Sequence, residues 1–466
     1  MSMFHPPAIP EQKQGEISNM FHVKHIFGIL KEWQWRAGVK QFKIHELLFY
    51  IFLFLLPIQT RILYSPSSAY ISWYFNYHLA LFVYGTDLLI LIFGLSWLIL
   101  DRPSFTWNKI TALICLFIGI VMLSLFHVKH LDLAWYGLFK WLELLLIFGY
   151  IAKTFKTQAQ FIISAWIVYL SAIFQAILGI WQFHVQHGLG FGLLGEYIAP
   201  FGTSGLATID TTAGKIIRAY GTMPHPNVLA AFLIFGLMIG LFLVSRGTKL
   251  QRILVSLGLI ILTLGIFLTF SRLAWLAGAI GFLCFGIYYL LQKQSQNIII
   301  LFLVALVSCG TIFLAYRSDL QARASDTKQT SITDRYFFDQ VGLKLLATNP
   351  ILGTRVGNYV PAMEQMYQLE PWQYQPPHNY FIFFGAELGW PALLIFLIFL
   401  WEIIRRAGRA EPGALKFTLL GLGGLVLLLA QFDHYFATIQ QGRLMFFVLF
   451  GLIAALPNLD EIEKSN

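Results

Sequence analysis

The chain predicts an all-α, polytopic membrane protein with about 12 transmembrane helices and a large extracytoplasmic loop before the last three. Hydrophobic residues make up 57% of its 466 positions and charged residues only 12%. Apolar runs near 20 residues recur, the length a helix needs to cross about 30 Å of hydrocarbon. The period-two alternation that barrel strands would require is absent. The net charge of +9 reflects Lys and Arg in short connections, where they set orientation, so no nucleic-acid partner is expected. Cys115, Cys284 and Cys309 all fall in apolar runs, which indicates neither a structural disulfide nor a thiolate metal site.

Residues 1–44 are polar with scattered apolar positions and form a cytoplasmic, interfacial segment. Ile26, Leu30, Trp33 and Trp35, interleaved with Lys31, Arg36 and Lys40, suit a helix lying on an anionic leaflet. The membrane domain runs from 45 to 456, with expected spans at 45–64, 79–100, 107–126, 133–151, 159–184, 226–245, 253–271, 273–291, 298–316, 379–401, 414–432 and 437–456. A cytoplasmic tail, 457–466, follows. Alternate short loops carry Arg102 and Lys109, then Lys153 and Lys156, then Arg246, Lys249 and Arg252, then Lys293, then Arg405, Arg406 and Arg409; the intervening short loops at 65–78 and 433–436 carry none. That asymmetry supports a multi-pass orientation with both termini in the cytoplasm.

Two extracytoplasmic connections are long, 185–225 and 317–378. The first is Gly-rich and holds Glu196, Asp210, Lys215 and Arg218. The second predicts an amphipathic helix near 333–348, with Thr333 as its cap and Phe337, Val341 and Leu345 on its apolar face. Asn349-Pro350 ends that helix and a Gly353–Gly357 turn follows. Loops this long are usually functional.

Charge inside hydrocarbon is costly, so its depth is informative. At 1.5 Å per residue, Asp87, Lys140, Arg443 and Glu387 are expected roughly 10 Å below the outer ends of their spans. Glu143 is a turn deeper than Lys140. Arg272 and Asp433 stand at outer tips. For Asp87, Lys140 and Glu143 the simpler reading is an ion group holding helices together.

Three stretches stand in a telling order. They are Arg218-Ala-Tyr-Gly-Thr-Met-Pro-His225-Pro-Asn227, then Thr269-Phe-Ser271-Arg272, then Asn349-Pro-Ile-Leu-Gly353 followed by His378-Asn379 and, after nine intervening residues, Gly389. Together they resemble the O-antigen ligase and O-antigen polymerase superfamily of bacterial membrane glycosyltransferases. The resemblance is detailed over about 190–400 and otherwise one of topology. It implies transfer of a glycan from an undecaprenyl-diphosphate-linked donor to an acceptor hydroxyl, with inversion and without a metal or other cofactor. By the same resemblance Arg218 and Arg272 match the donor-diphosphate arginines and His378 the catalytic histidine. Asn379, His225, Asn227, Ser271, Glu387 and Arg443 are expected to support them. Ala392 and Arg355 depart from the family pattern, which bears on the acceptor more than on the reaction.

The residue types fit that chemistry in their own right. Arginine binds two phosphate oxygens at once and stays charged; preorganised cations stabilise charge growing on a leaving group. Histidine takes a proton near neutrality, with Glu196 and Asp334 as rival bases. A snorkelling cation is the plain alternative for Arg272, an interfacial hydrogen-bonding residue for His378, and a turn constraint for His225. The loop 64–78 contains no Asp or Glu and no H-E-x-x-H helix occurs, so no metal is expected. The partners are a lipid-linked glycan and a glycan, lipid or protein acceptor; a repeat-unit polymerase and a protein O-oligosaccharyltransferase remain open. A transporter or flippase would want inverted repeats, and none is evident. Phe-His-Val-Lys-His at 21–25 and 126–130, with Phe-His-Val-Gln-His at 183–187, repeats without an assigned role.

Overall fold

The computed structural model describes residues 43–64, 69–196, 206–211, 214–325 and 330–459; the expected interfacial segment lies outside these. Helices stand at each of the twelve expected spans: α1 (Ile44–Leu55), α2 (Gly85–Leu100), α3 (Lys109–Leu123), α4 (Leu131–Thr154), α5 (Gln158–Val185), α6 (Pro226–Arg246), α7 (Lys249–Leu268), α8 (Arg272–Leu291), α9 (Ser295–Ser325), α12 (Tyr380–Ala407), α13 (Ala414–Ala430) and α15 (Gln440–Ala455). Among the described residues, seven helices are long and apolar enough to cross a membrane. Helices α1, α2, α3 and α13 are apolar but shorter. Helix α4 has the length, 24 residues, but carries Asp132, Lys140, Glu143 and Lys153.

Helix α6 is the hub. Its apolar stretch is 89% buried, and it packs against α5, α7, α8 and α13. A helix apolar on all sides belongs in the middle of a bundle. Helix α9, only 11% buried, lies at the rim, as the exposed Phe302, Leu306 and Phe313 show.

The first two spans begin and end differently from the sequence expectation. Pro57 ends α1, because proline clashes with a continuing helix. The chain then forms strand β1 (Arg61–Tyr64), which pairs antiparallel with β4 (Leu81–Tyr84) around the small hairpin β2 (Tyr70–Ile71) and β3 (Tyr74–Phe75). A further hairpin, β5 (Thr208–Thr211) with β6 (Gly214–Ile217), precedes α6. Helix α2 therefore starts at Gly85, and Asp87 sits in its first turn, accepting from the Tyr84 amide at 3.0 Å. It is buried, but at the start of the helix rather than some 10 Å along it. Arg443 is corrected likewise: the short helix α14 (Tyr435–Thr438) and Ile439 break the last span, so Arg443 lies in the first turn of α15.

The expected loop 317–378 is largely helical. Helix α9 bends at Tyr316, where the backbone leaves helical values, and continues to Ser325. Helix α10 (Thr330–Thr348) begins three residues before Thr333, so Thr333 is not its cap. Its buried face is Phe338, Val341 and Leu345, while Phe337 is exposed. The short α11 (Tyr359–Met366) follows.

The turn after Asn349 docks into a break in α12. At Gly389 the backbone has φ +85°, and an added Cβ would lie 2.2 Å from the Ile351 carbonyl oxygen. Only glycine tolerates both. The Trp390 amide donates to the Pro350 carbonyl at 2.8 Å and the Thr354 amide to that of Ala386 at 2.8 Å. Glu387 accepts from the Gly357 amide at 3.0 Å.

The ion group predicted around Lys140 is present. Lys140 Nζ lies 2.6 Å from Asp87 and 3.1 Å from Glu143, and Gln440 donates to both carboxylates. Three helices, α2, α4 and α15, are thus pinned together in a buried place. Removing the cation would leave two carboxylates without compensation, which costs about 3–5 kcal/mol. Lys140→Ala is expected to lower the thermal unfolding temperature of the detergent-solubilised protein markedly; an unchanged transition would show that the ion group does not hold these helices.

Candidate functional site

The N-termini of α6, α8 and α12 meet at one end of the bundle, the end opposite Arg246, Lys249 and Arg252. Helix N-termini carry partial positive charge and unsatisfied amides. There they border a cavity of about 790 Å³, with α10 on one side and the α13–α14 turn on another. Arg218, His225, Asn227, Ser271, Arg272 and His378 all line it. Residues separated by as many as 160 positions thus share one chamber.

Each is held by local structure. Arg218, buried, donates through Nε to the Thr269 carbonyl, which belongs to the Thr269-Phe-Ser271-Arg272 motif. Its Nη2 donates to Asn227 Oδ1 at 2.9 Å. Asn227 in turn donates through Nδ2 to Asp433 Oδ2 at 3.1 Å. Asp433 faces His378, with Oδ1 3.7 Å from Nδ1, an ion-pair contact too long for a hydrogen bond. One amide side chain therefore connects a diphosphate-candidate arginine to the carboxylate beside the candidate base.

Arg272 opens α8 just after Phe270, whose φ of +50° is unusual for a bulky residue. Its guanidinium is exposed to the cavity and makes no hydrogen bond or ion pair among the described residues. Asn379 caps α12, accepting from the Phe381 and Ile382 amides at 2.9 and 3.1 Å and donating to Gln431. That cap fixes where His378 leaves the helix. His225 is the cap of α6: its Nδ1 accepts from the Asn227 amide at 3.1 Å, with Pro226 as the first helical residue. This agrees with its reading as a turn constraint, although it also lines the chamber.

Glu387 and Arg443 are not in the chamber. They line a smaller neighbouring cavity of about 100 Å³ with Lys140 and Gln440, which meets the large one at Tyr77 and His78. Of the rival bases, Asp334 lines the chamber. Glu196 does not; its carboxylate accepts from Leu189, Phe191 and Gln182 and ties down its own loop.

Sequence reasoning missed Arg335, His78 and His434 in this chamber and placed Asp433 only at a tip. Arg335 lies on the inward side of α10, a helix whose start the cap argument misjudged. Burial opposes the charge of Asp433, but the facing His378 and then His434 hold its carboxyl far below the usual carboxylate range. Burial, reinforced by Arg218, pushes the His225 imidazole down to about 4.

A neutral His225 is what the cap needs, since only an unprotonated Nδ1 accepts. Its folded pKa lies below the unfolded value of about 6.5, so the unfolded chain binds more protons between the two. This contribution to stability is present above about pH 6.5 and is lost as pH falls toward about 4. His225→Asn keeps a capping acceptor and removes the titration. Thermal unfolding of the variant across that window should be flatter with pH than that of the wild type; equal slopes would refute the cap's role.

Residues 257–397 match the family model described as O-antigen ligase. The stretch runs from α7 into α12 and takes in Arg272, the Gly353–Gly357 turn, His378 and Gly389; Arg218, Asn227 and Asp433 lie outside it. No curated protein matches the chain. Together with the motifs gathered around the chamber, that match supports a likeness to the O-antigen ligase superfamily over this part of the chain.

Proposed function

We propose that the chain transfers a glycan from an undecaprenyl-diphosphate-linked donor to an acceptor hydroxyl, with inversion, at the outer face of the plasma membrane. The observation that carries this reading is the chamber itself: Arg218, Arg272 and His378, matched to the family by motif, border one cavity. In this reading the twelve helices all cross the bilayer, both termini are cytoplasmic, and the end bearing the chamber faces outward.

The chemistry follows from the placement. The exposed Arg272 offers its planar donors to the diphosphate, while Arg218 adds charge from a fixed position. As the bond from sugar to phosphate breaks, negative charge grows on the departing phosphate, and cations already in place stabilise it without reorganising. His378 presents Nδ1 to Asp433 and so leaves Nε2 for the acceptor hydroxyl. The Asp433 carboxylate favours the imidazolium that forms when the proton arrives. Asp334 and Arg335, also lining the cavity, bracket the substrate's path from α10. The acceptor can be glycan, lipid or protein on this chemistry, since all three present a hydroxyl.

Purified protein incubated with a lipid-diphosphate glycan and acceptor, with products analysed by mass, tests the reading. Loss of the base in His378→Ala is expected to slow transfer by about 10²–10⁴-fold. Arg272→Ala, removing a leaving-group cation, should cost about 10²–10³-fold. Both variants should unfold at the wild-type temperature. Transfer by His378→Ala at the wild-type rate would rule the base out, and movement of the lipid across vesicles with no covalent product would favour a flippase instead. Asn227→Ala separates Arg218 from Asp433 and should lower the turnover rate more than the apparent affinity for donor, read from the split between kcat and KM.

A further inference from the structure

The chamber's wall gathers His78, His225, His378 and His434 together with Asp433. Donor use by a glycosyltransferase explains the arginines, and base action explains one histidine. His225 caps α6, which leaves His78 and His434 without a task. The rings of His378 and His434 have centroids 5.2 Å apart, and those of His434 and His78 5.6 Å.

Three of these groups are placed as ligands. One donor atom each from His378, Asp433 and His434 all lie within 4.8 Å of one another. His378 Nδ1 is buried and has no hydrogen-bond partner, which is costly for a polar atom unless something fills the gap. Its 3.7 Å separation from Asp433 Oδ1 is too long for a hydrogen bond. Two ligand atoms at that separation, each about 2.1 Å from a shared ion, subtend about 120°, close to what a four-coordinate zinc site accepts.

The supporting contacts match as well. His434 Nδ1 bonds the Thr438 hydroxyl at 2.6 Å, which orients the ring and leaves Nε2 as its ligand atom. Metal-bound imidazoles are commonly steered through the other nitrogen in this way. The Asp433 carboxylate is itself held by Asn227 at 3.1 Å and by the His434 amide at 2.9 Å. Two imidazoles and one carboxylate favour a borderline transition-metal dication over Mg²⁺ or Ca²⁺, which prefer oxygen. Arg218 and Arg335 border the same cavity and oppose a further positive charge, so the site is one of moderate affinity.

We propose that His378, Asp433 and His434 form a binding site for a transition-metal dication such as Zn²⁺, and that its occupancy shuts off transfer. The second clause rests on the reading of His378 as the base. A neutral imidazole has one nitrogen with a free lone pair and one with a proton. A metal on Nδ1 puts the proton on Nε2, the nitrogen facing the acceptor, so His378 can no longer take one. Zinc and acceptor deprotonation then compete for the same ring.

The test uses the full-length purified protein, stripped with EDTA and titrated with Co²⁺ as an optical probe and with Zn²⁺ in competition. One Co²⁺ per chain is expected, with visible bands of low-symmetry nitrogen and oxygen coordination, displaced by Zn²⁺ and not by millimolar Mg²⁺. His434→Gln should weaken binding at least tenfold while leaving the unfolding temperature unchanged, its own metal-free transfer rate serving as the baseline for the zinc titration. Thr438→Val, which removes only the orienting hydroxyl, should weaken it less. Zn²⁺ should suppress wild-type transfer in step with occupancy, spare His434→Gln, and be reversed by EDTA. Absence of Co²⁺ binding, or binding that His434→Gln does not alter, overturns the site. Zn²⁺ that binds at the site and leaves transfer unchanged or raises it overturns the claim of shut-off. Co²⁺ binding beside full transfer by His378→Ala would instead sink the base while the site stands, so the two failures are distinguishable.

Discussion

The chamber depends on Asn227. Its side chain accepts from Arg218 and donates to Asp433, so it ties the start of α6 to the strand end before it and to the α13–α14 turn far along the chain. Without that bridge two cations and several imidazoles would face one another with no fixed negative partner. Asp433 supplies the charge, and Asn227 and the His434 amide supply its orientation. Bonds between neutral and charged groups of this kind contribute about 1.5–3 kcal/mol each. That is enough to hold a geometry but not to freeze the large cavity beneath it.

Around this bridge the bundle separates rigid and adaptable parts. Helix α6 is packed on all sides, and the Asp87, Lys140, Glu143 and Gln440 group clamps α2, α4 and α15. The turn from Asn349 to Gly357 is keyed into the break at Gly389. His378 is therefore fixed from two sides, by Asn379 at the head of α12 and by the docked turn nine to eleven residues further on. Helix α10 closes the chamber through an amphipathic contact, Phe338, Val341 and Leu345 facing inward. A substrate with a long apolar tail and a charged head suits a site that is polar at one end of an otherwise apolar bundle.

Much of this was legible beforehand, and the misses are informative. All twelve helical positions followed from apolar runs, and Asn349-Pro350, Gly353, Gly357 and Gly389 announced the turn and the break. Boundaries failed where local chemistry outweighed hydropathy. Pro57 and the short strand pairs shortened the first spans, and the α14 turn moved Arg443 to a helix start. Asp87 is a first-turn residue rather than a deep charge, whereas Glu387 stands about 10 Å into α12, as expected, and anchors the Gly357 amide. In the site, Arg218, Asn227, Arg272 and His378 were chosen from motif order and do share a cavity. Arg335 and His434 carry no sequence signal, because a lone arginine on an amphipathic helix and a lone histidine in a turn look alike whether or not they face a substrate.

By itself, then, the sequence determined a largely helical chain with apolar helices of membrane-crossing length, and it singled out Arg218, Arg272 and His378, which line one chamber. Hydropathy over some 20 residues is a sum of local transfer energies, and motifs are local too. Only the tertiary structure decided which of those side chains meet, that Glu387 and Arg443 belong to a different cavity, and that three histidines join His378 and Asp433 in one chamber. Such meetings depend on helix starts, crossing positions and turns hundreds of residues apart, and no local sum contains them.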